Sequence, residues 1–302
     1  MNVMYHGVVS SDSTWFSPRH LTKVEFDKQL SYLTQRFDVI SSEEMFRQRK
    51  GKERLNRPTI SLSFDDGYLN NLEVALPIIE KYRVPVTFFV LGTCAVDGEP
   101  RVAWPDLIAV LGRMDVGQFR LGSEQYAGTK NIRTGTSLSD DLKRMSAAGR
   151  DEALAELDAR FSLSRELEHV PSEIWKLMDP GELKRLSESR YVEIGSHAYG
   201  HYNLGLISPA DALADMKRSK EVLEALLDRP VQSIAFPDGS YSQVVKDLAM
   251  SLGFKRQLAV TFSGVDDPTD QRIQARFGVS CTTTTASAML HLNRAFAVTG
   301  ML

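Results

Sequence analysis

Cysteine is almost absent. The 302 residues contain two, Cys94 and Cys281, and neither stands in a Cys-x-x-Cys pair. A disulfide framework and a thiolate metal cluster are thereby excluded. Neither sign of charge is in excess: 36 lysines and arginines face 39 aspartates and glutamates, a formal net charge of -3. That balance offers no basic field for nucleic acid and no long single-sign tail. Long apolar runs are missing too. The longest, residues 84–96, is broken by Pro85, Thr87, Gly92 and Thr93 and falls short of the roughly 20 residues of a spanning helix. The opening Met1-Asn2-Val3-Met4-Tyr5-His6-Gly7 lacks the cationic and apolar regions of a secretory signal, so the expected setting is a reducing cytoplasm.

What remains is ordinary globular material, 42% hydrophobic and 25% charged, enough for a sizeable core. Short β-branched runs alternate with helical patterns, which predicts parallel strands joined by crossover helices. Strands are expected at residues 3–5, 39–40, 60–64, 86–90, 191–195, 234–236 and 258–262. Thr22 with Glu25 reads as a capping box ahead of Phe26, Leu30, Leu33 and Phe37. Asp179-Pro180 with Glu182, and Ser208-Pro209 with Asp211, open two further helices, the second turning Met216, Leu223 and Leu226 inward. Gly253 stops the helix that follows Tyr241. Seven strands with interleaved helices predict a shorter, distorted relative of the eight-fold barrel, with an open doubly wound sheet as the alternative. Residues 97–178 break the rhythm with Gly98, Gly112, Gly117, Gly122, Gly128 and Gly135, and with an amphipathic helix around Leu154, Leu157 and Phe161. They read as an insertion between strands four and five of a single domain, 1–302.

Four segments carry chemistry. Ser63-Phe64-Asp65-Asp66-Gly67 places two adjacent carboxylates at the end of an apolar strand, which is costly unless a cation or a division of catalytic labour neutralises them. A turn with a helix cap is the plainer reading of the same residues. Gly195-Ser196-His197-Ala198-Tyr199-Gly200-His201 places two histidines four apart in a glycine-bracketed loop, a spacing that can share a metal. Phe236-Pro237-Asp238-Gly239 is a turn between strand and helix whose N–H groups suit a developing oxyanion, or simply a turn. His6 follows the first strand. If the strands are parallel, all four segments reach the same C-terminal rim, where barrels of this kind collect functional residues. His20 and His169 read as solvated surface, His291 as the edge of a late helix, and the basic run 47–54 as a solvated helix end.

Taken together, these segments resemble the polysaccharide deacetylase family, the NodB-homology hydrolases of carbohydrate esterase family 4. Phe64-Asp65-Asp66-Gly67 matches its first motif, Ser196 to His201 its second, and Phe236-Pro237-Asp238-Gly239 part of its third. The resemblance implies a distorted (β/α)7 barrel and one divalent metal, zinc above all, with Co2+, Mn2+, Ni2+ or Fe2+ as replacements. It implies that Asp66, His197 and His201 bind the metal, that Asp65 is the general base, and that Pro237, Asp238 and Gly239 line the oxyanion and substrate site. Two departures stand out: in the third motif Ala235 replaces the arginine that steadies the base and Asp238 an aromatic residue, and the late Leu-x-His motif that supplies the general acid is not clear near the C-terminus. Arg276 is the candidate substitute for the first. Members with a permuted arrangement supply the general acid from an N-terminal Met-Tyr-His strand, which assigns that role to His6 ahead of His291. The implied reaction removes an acyl group, acetyl in the family, from an N-acylated amino sugar of a glycan or glycan precursor, with peripheral contact to a lipid-linked substrate allowed. The alternatives are an amidohydrolase acting on a formamide, a cyclic amide or another small amide, and a non-catalytic sugar-binding protein. Trp104, Tyr126 and Trp175, in the insertion, are candidates either to stack on sugar rings or to serve as packing residues.

Overall fold

Strands buried on both faces read as near-continuous apolar runs, and the chain supplies several. A computed structural model describes residues 1–10, 19–50, 57–279 and 285–298. Seven of its strands are β1 Asn2–Tyr5, β2 Thr59–Asp66, β3 Val86–Val90, β4 Val192–Ser196, β5 Ser233–Ala235, β6 Arg256–Ala259 and β7 Ile273–Gly278. Each pairs in parallel with its successor, and β7 pairs back onto β1, so the sheet closes as a (β/α)7 barrel. Every residue of β2 and β3 is buried. Phe64 of β2 stacks between Tyr5 and Phe88, with ring centroids 5.3 Å and 5.1 Å apart. The distortion lies between β4 and β5, which meet at a single register pair, Ser196 with Ile234, where β2 and β3 share five.

Two strand expectations need correction. The strand expected at 39–40 is a two-residue piece, Asp38–Val39, paired with Thr59 and Ile60 outside the ring. Its place is taken by β7, whose Gln274 and Arg276 interrupt the apolar signature that marks the other strands. Helix boundaries follow the capping chemistry. Asp179 and Glu182 form the reciprocal capping box of helix Pro180–Ser187. Thr22 caps helix Lys23–Arg36 by accepting from Glu25 N at 3.2 Å, but the Glu25 carboxylate turns to Lys28 and Thr285 instead of closing the box. Ser208 caps helix Pro209–Leu227, where Met216 and Leu223 are buried and Leu226 is half-buried. Gly253, at φ 92, follows helix Gln243–Ser251.

The insertion leaves the ring after β3 and returns at β4, the fourth and fifth strands of the sequence reading. It holds an antiparallel ribbon, Gln118–Leu121, Glu124–Ala127 and Lys130–Asn131, that the glycine-rich sequence did not announce. Gly122, at φ 57, makes the tight turn between the first two strands. Helices Trp104–Leu111, Leu138–Arg144 and Ala147–Phe161 pack on this ribbon around Leu111, Tyr126, Leu138, Leu142 and Leu157. Among the described residues no helix is long and apolar enough to cross a membrane. Cys94 is buried and free, and His169 is exposed. Cys281, residues 51–54 of the basic run and the side chain of His291 lie outside the described residues.

His20 is not at the surface as expected; it is buried in the short strand His20–Thr22, which pairs with Gly7–Val9. Its Nε2 lies 2.7 Å from Ile174 O and its ring meets Tyr68 edge-on at 4.7 Å. Burial, helped by the Arg19 charge, pushes its pKa from 6.5 down to about 3. Below pH 6.5 the unfolded chain therefore takes up a proton that the folded one refuses. Stability falls as pH drops from about 6.5 towards 3, by up to about 1.4 kcal/mol per pH unit. His20→Leu should flatten the acid limb of a plot of urea midpoint against pH between 7 and 4. An unchanged slope would contradict this account of His20.

Candidate active site

All seven strands point the same way, so their C-terminal ends form one rim. Asp65 and Asp66 end β2, His197 and His201 follow β4, Pro237–Gly239 follows β5, and His6 follows β1. Asp66 has a left-handed backbone at φ 74. Both carboxylates stay on the rim at that turn: Asp65 Oδ2 lies 4.0 Å and Asp66 Oδ1 3.5 Å from His197 Nε2.

Asp66 faces two imidazoles. Its Oδ1 lies 3.5 Å from His197 Nε2 and 3.4 Å from His201 Nε2, and one ligand atom from each residue falls within 4.8 Å of the others. Asp66, His197 and His201 are all buried, and neither Asp66 oxygen has a hydrogen-bond partner. Burial opposes the Asp66 charge, but the imidazoles of His201, His6 and His197 hold its pKa well below the usual carboxylate range. A buried, ionised carboxylate without hydrogen bonds facing two nitrogens is a donor set that fits a divalent cation. Tetrahedral zinc with bonds of about 2.0–2.1 Å separates its ligands by about 3.3–3.4 Å, close to the two gaps here. His197 is aimed by its other nitrogen, Nδ1, 2.8 Å from Ala235 O, a contact that also bridges the weak β4–β5 seam. Such bonds to the far ring nitrogen fix tautomer and orientation in metal-binding histidines.

Asp65 turns to Arg276 of β7. The guanidinium donates to Oδ1 at 2.6 Å and to Oδ2 at 2.8 Å, and both side chains are almost wholly buried. Burial alone would raise the Asp65 pKa; the Arg276 charge reverses the direction and keeps the carboxylate ionised. His6 is half-buried beside both aspartates. Burial lowers its pKa while the charges of Asp66 and Asp65 raise it, and the lowering prevails.

Within Pro237-Asp238-Gly239 the structure narrows the expectation. The N–H groups of Gly239 and Ser240 close the turn onto Phe236 O and Pro237 O, each at 2.9 Å, and proline has none. Asp238 alone of the three keeps an N–H outside the turn. Gly239, at φ 67, has a steric role: a Cβ there would come within 2.9 Å of Val260 N. The Asp238 carboxylate accepts from Asn203 Nδ2 at 3.2 Å and pairs at 3.2 Å with Lys143, which the insertion contributes.

Other groups were invisible from sequence. Arg19 Nη1 lies 3.7 Å from Asp66 Oδ2, and Arg19 Nη2 donates to Asp106. Tyr68 donates to the other Asp106 oxygen at 2.9 Å. Burial pushes Asp106 up to about 6 although Arg19 pulls it down. Of the aromatic residues offered as sugar-stacking or packing residues, Trp104 sits beside the site, its ring centroid 6.3 Å from that of His201, while Tyr126 and Trp175 pack in apolar clusters. Tyr126 is fully buried in the insertion with its hydroxyl on Asp141, and Trp104 is buried with its N–H on His201 O. Trp175 gives its N–H to Val170 O.

A family model described as polysaccharide deacetylase matches residues 52–256. YxkH of Bacillus subtilis (strain 168), a curated protein named for the same family, is 25% identical over 91 residues, covering 30% of this chain and 31% of that protein. The chain thus spans about a third of the length of the curated relative it matches. The Streptococcus pyogenes deacetylase PplD, solved in complex with acetate, superposes with a TM-score of 0.60 at 17% identity over 96% of both chains. IcaB from Ammonifex degensii superposes with a TM-score of 0.58 at 18% identity, over 95% of this chain and 96% of that one. At these identities the likeness to the solved structures is one of fold.

The Asp65–Arg276 pair makes a stability prediction. Removing one partner of a buried ion pair leaves an uncompensated charge, at a cost of about 3–5 kcal/mol. Arg276→Met should lose that much in urea unfolding, and Asp65→Asn combined with Arg276→Met should lose clearly less than the two single changes summed. Additive losses would mean that the two side chains do not depend on each other.

Proposed function

Because the chain belongs to the polysaccharide deacetylase family, we propose that it hydrolyses the N-acyl group of an amino sugar in a glycan or glycan precursor. The proposed cofactor is one divalent ion, zinc in first place, held by Asp66, His197 and His201. When bound, such an ion supplies Lewis-acid polarisation of the amide and a more acidic water. The observation that carries this reading is the pairing at one rim of an orphaned carboxylate facing two imidazoles with a second carboxylate kept ionised by arginine.

The protein's own groups divide the remaining work. Asp65, held flat by both Arg276 nitrogens, accepts the proton as water adds to the amide carbon. Arg276 stands in for the arginine absent at Ala235, from β7 instead of β5. The N–H of Asp238 donates to the oxygen on which charge develops. His6 gives a proton to the departing nitrogen, so that water is consumed and a carboxylic acid and a free amine leave. Acetyl is the favoured acyl group, a choice supported by the complex of the relative PplD with acetate. His6 must be protonated to act, and its burial disfavours that charge, so the rate should fall as pH rises through its pKa.

Incubation of the purified protein with N-acetylated oligosaccharides should release acetate and free amines in equal amounts. Asp65→Asn should keep close to one divalent ion per chain while losing about 10²–10⁴ in rate, the usual contribution of a general base. An Asp65→Asn protein of full activity, or a wild-type protein that binds sugar without turnover under any metal, would contradict the proposal. His6→Gln should in addition remove the alkaline limb of the pH–rate profile, and persistence of that limb would place the acid elsewhere.

A further inference from the structure

One buried side chain ties the insertion to the loop that carries His201. Arg150, in helix Ala147–Phe161, is 4% exposed, and its one ion pair among the described residues is with Asp151 Oδ1 at 3.6 Å. Its terminal nitrogens go to backbone: Nη1 donates to His201 O at 2.7 Å and Nη2 to Gly200 O at 2.6 Å. Trp104 Nε1 donates to the same His201 oxygen at 3.1 Å. The guanidinium also lies over the rings of Tyr202, at 3.7 Å, and Trp104, at 5.4 Å. Asp215, in helix Pro209–Leu227, accepts from the N–H of Tyr199 at 2.8 Å and of Gly200 at 3.0 Å. The loop is strung between two bodies. A barrel helix takes its N–H groups and the insertion takes its carbonyls.

The loop needs that restraint. His201 and Ala198 both have left-handed backbones, at φ 56 and 62, a region that residues with a Cβ seldom occupy unless the surroundings hold them there. A cavity of about 620 Å³ lies against the loop, lined by Trp104, Arg150, Tyr199, His201, Tyr202 and Asp215 among others, so packing alone does not back it. Burying a guanidinium against carbonyl groups is expensive, and here the cation is placed where it grips one carbonyl on a metal-ligand residue and one on its neighbour.

We propose that Arg150, assisted by Trp104, is a positioning residue for the metal centre. By gripping the Gly200 and His201 carbonyls it holds the left-handed backbone that aims His201 Nε2 at Asp66. The insertion then belongs to the metal site as well as to the wall of the cleft. The proposal rests on the reading that Asp66, His197 and His201 hold a divalent ion.

The test is zinc affinity, measured by competition with a chromogenic chelator, together with the visible spectrum of the Co2+-loaded protein and a thermal melt. Arg150→Ala should weaken zinc binding about 10–100-fold, the usual effect of losing a group that orients a metal ligand. Arg150→Lys should recover a large part of that loss. Phe119→Leu, a change in the insertion core at a ring that packs on Tyr126 and Phe161, should lower the melting temperature with zinc affinity unchanged. Should Arg150→Ala not fold, a shifted Co2+ spectrum in Arg150→Lys carries the same expectation, and an unshifted one overturns it. Wild-type affinity in Arg150→Ala, or an equal loss in Phe119→Leu, would also overturn the positioning role. A wild-type protein that takes up no metal would remove the metal reading first, and this proposal with it.

Discussion

Asp65 and Asp66 follow one another at the end of a strand that is buried along its whole length. Two carboxylates so placed repel each other in a poor dielectric, and each requires its own compensation. The rest of the rim follows from meeting that requirement. Asp65 finds a bidentate arginine on β7, which becomes its neighbour across β1 only because the barrel closes. Asp66, with a left-handed backbone, faces two imidazoles at 3.4–3.5 Å and the Arg19 guanidinium at 3.7 Å, and neither of its oxygens has a hydrogen-bond partner. Both carboxylates are held ionised, Asp65 by a bidentate arginine and Asp66 with no hydrogen bond to either oxygen. That asymmetry is what a proton acceptor beside a Lewis acid requires.

Groups close in sequence were legible from sequence. Asp65-Asp66 and the His197/His201 pair advertise themselves by spacing, and the apolar runs at β2 and β3 announce buried parallel strands. The capping residues Asp179 and Ser208 mark helix starts because their hydrogen bonds span three residues. The legible part ends where partners are distant. β7 went unmarked because Gln274 and Arg276 occupy barrel positions where a strand pattern expects apolar residues, and Val39 was credited to the ring in its place. His20 looked like surface because no local pattern tells a buried imidazole from a solvated one. The Arg19–Asp106–Tyr68 group and Arg150 draw partners from segments many tens of residues apart, and no spacing rule reports such pairs.

The insertion shows the same limit from another side. Its glycines mark turns, and Gly122 does make one, while its aromatic residues spend their polar atoms on groups of the protein itself. Tyr126 and Trp104 are buried with their polar atoms on Asp141 and His201. The insertion meets the rim through Trp104 and through cations, Lys143 at Asp238 and Arg150 at the His201 loop. Charged side chains on a segment remote in sequence thus hold the geometry that the barrel strands begin.

The central claim is that Asp66, His197 and His201 share one cation while Asp65 remains paired with Arg276. Anomalous scattering at the zinc edge from crystals of the zinc-loaded protein tests it most directly. The account predicts one strong peak about 2.0–2.2 Å from an Asp66 oxygen and from the Nε2 atoms of His197 and His201, with the arginine still on Asp65. A peak at other residues, or one at which Asp65 has left Arg276 to ligate the ion, would contradict it.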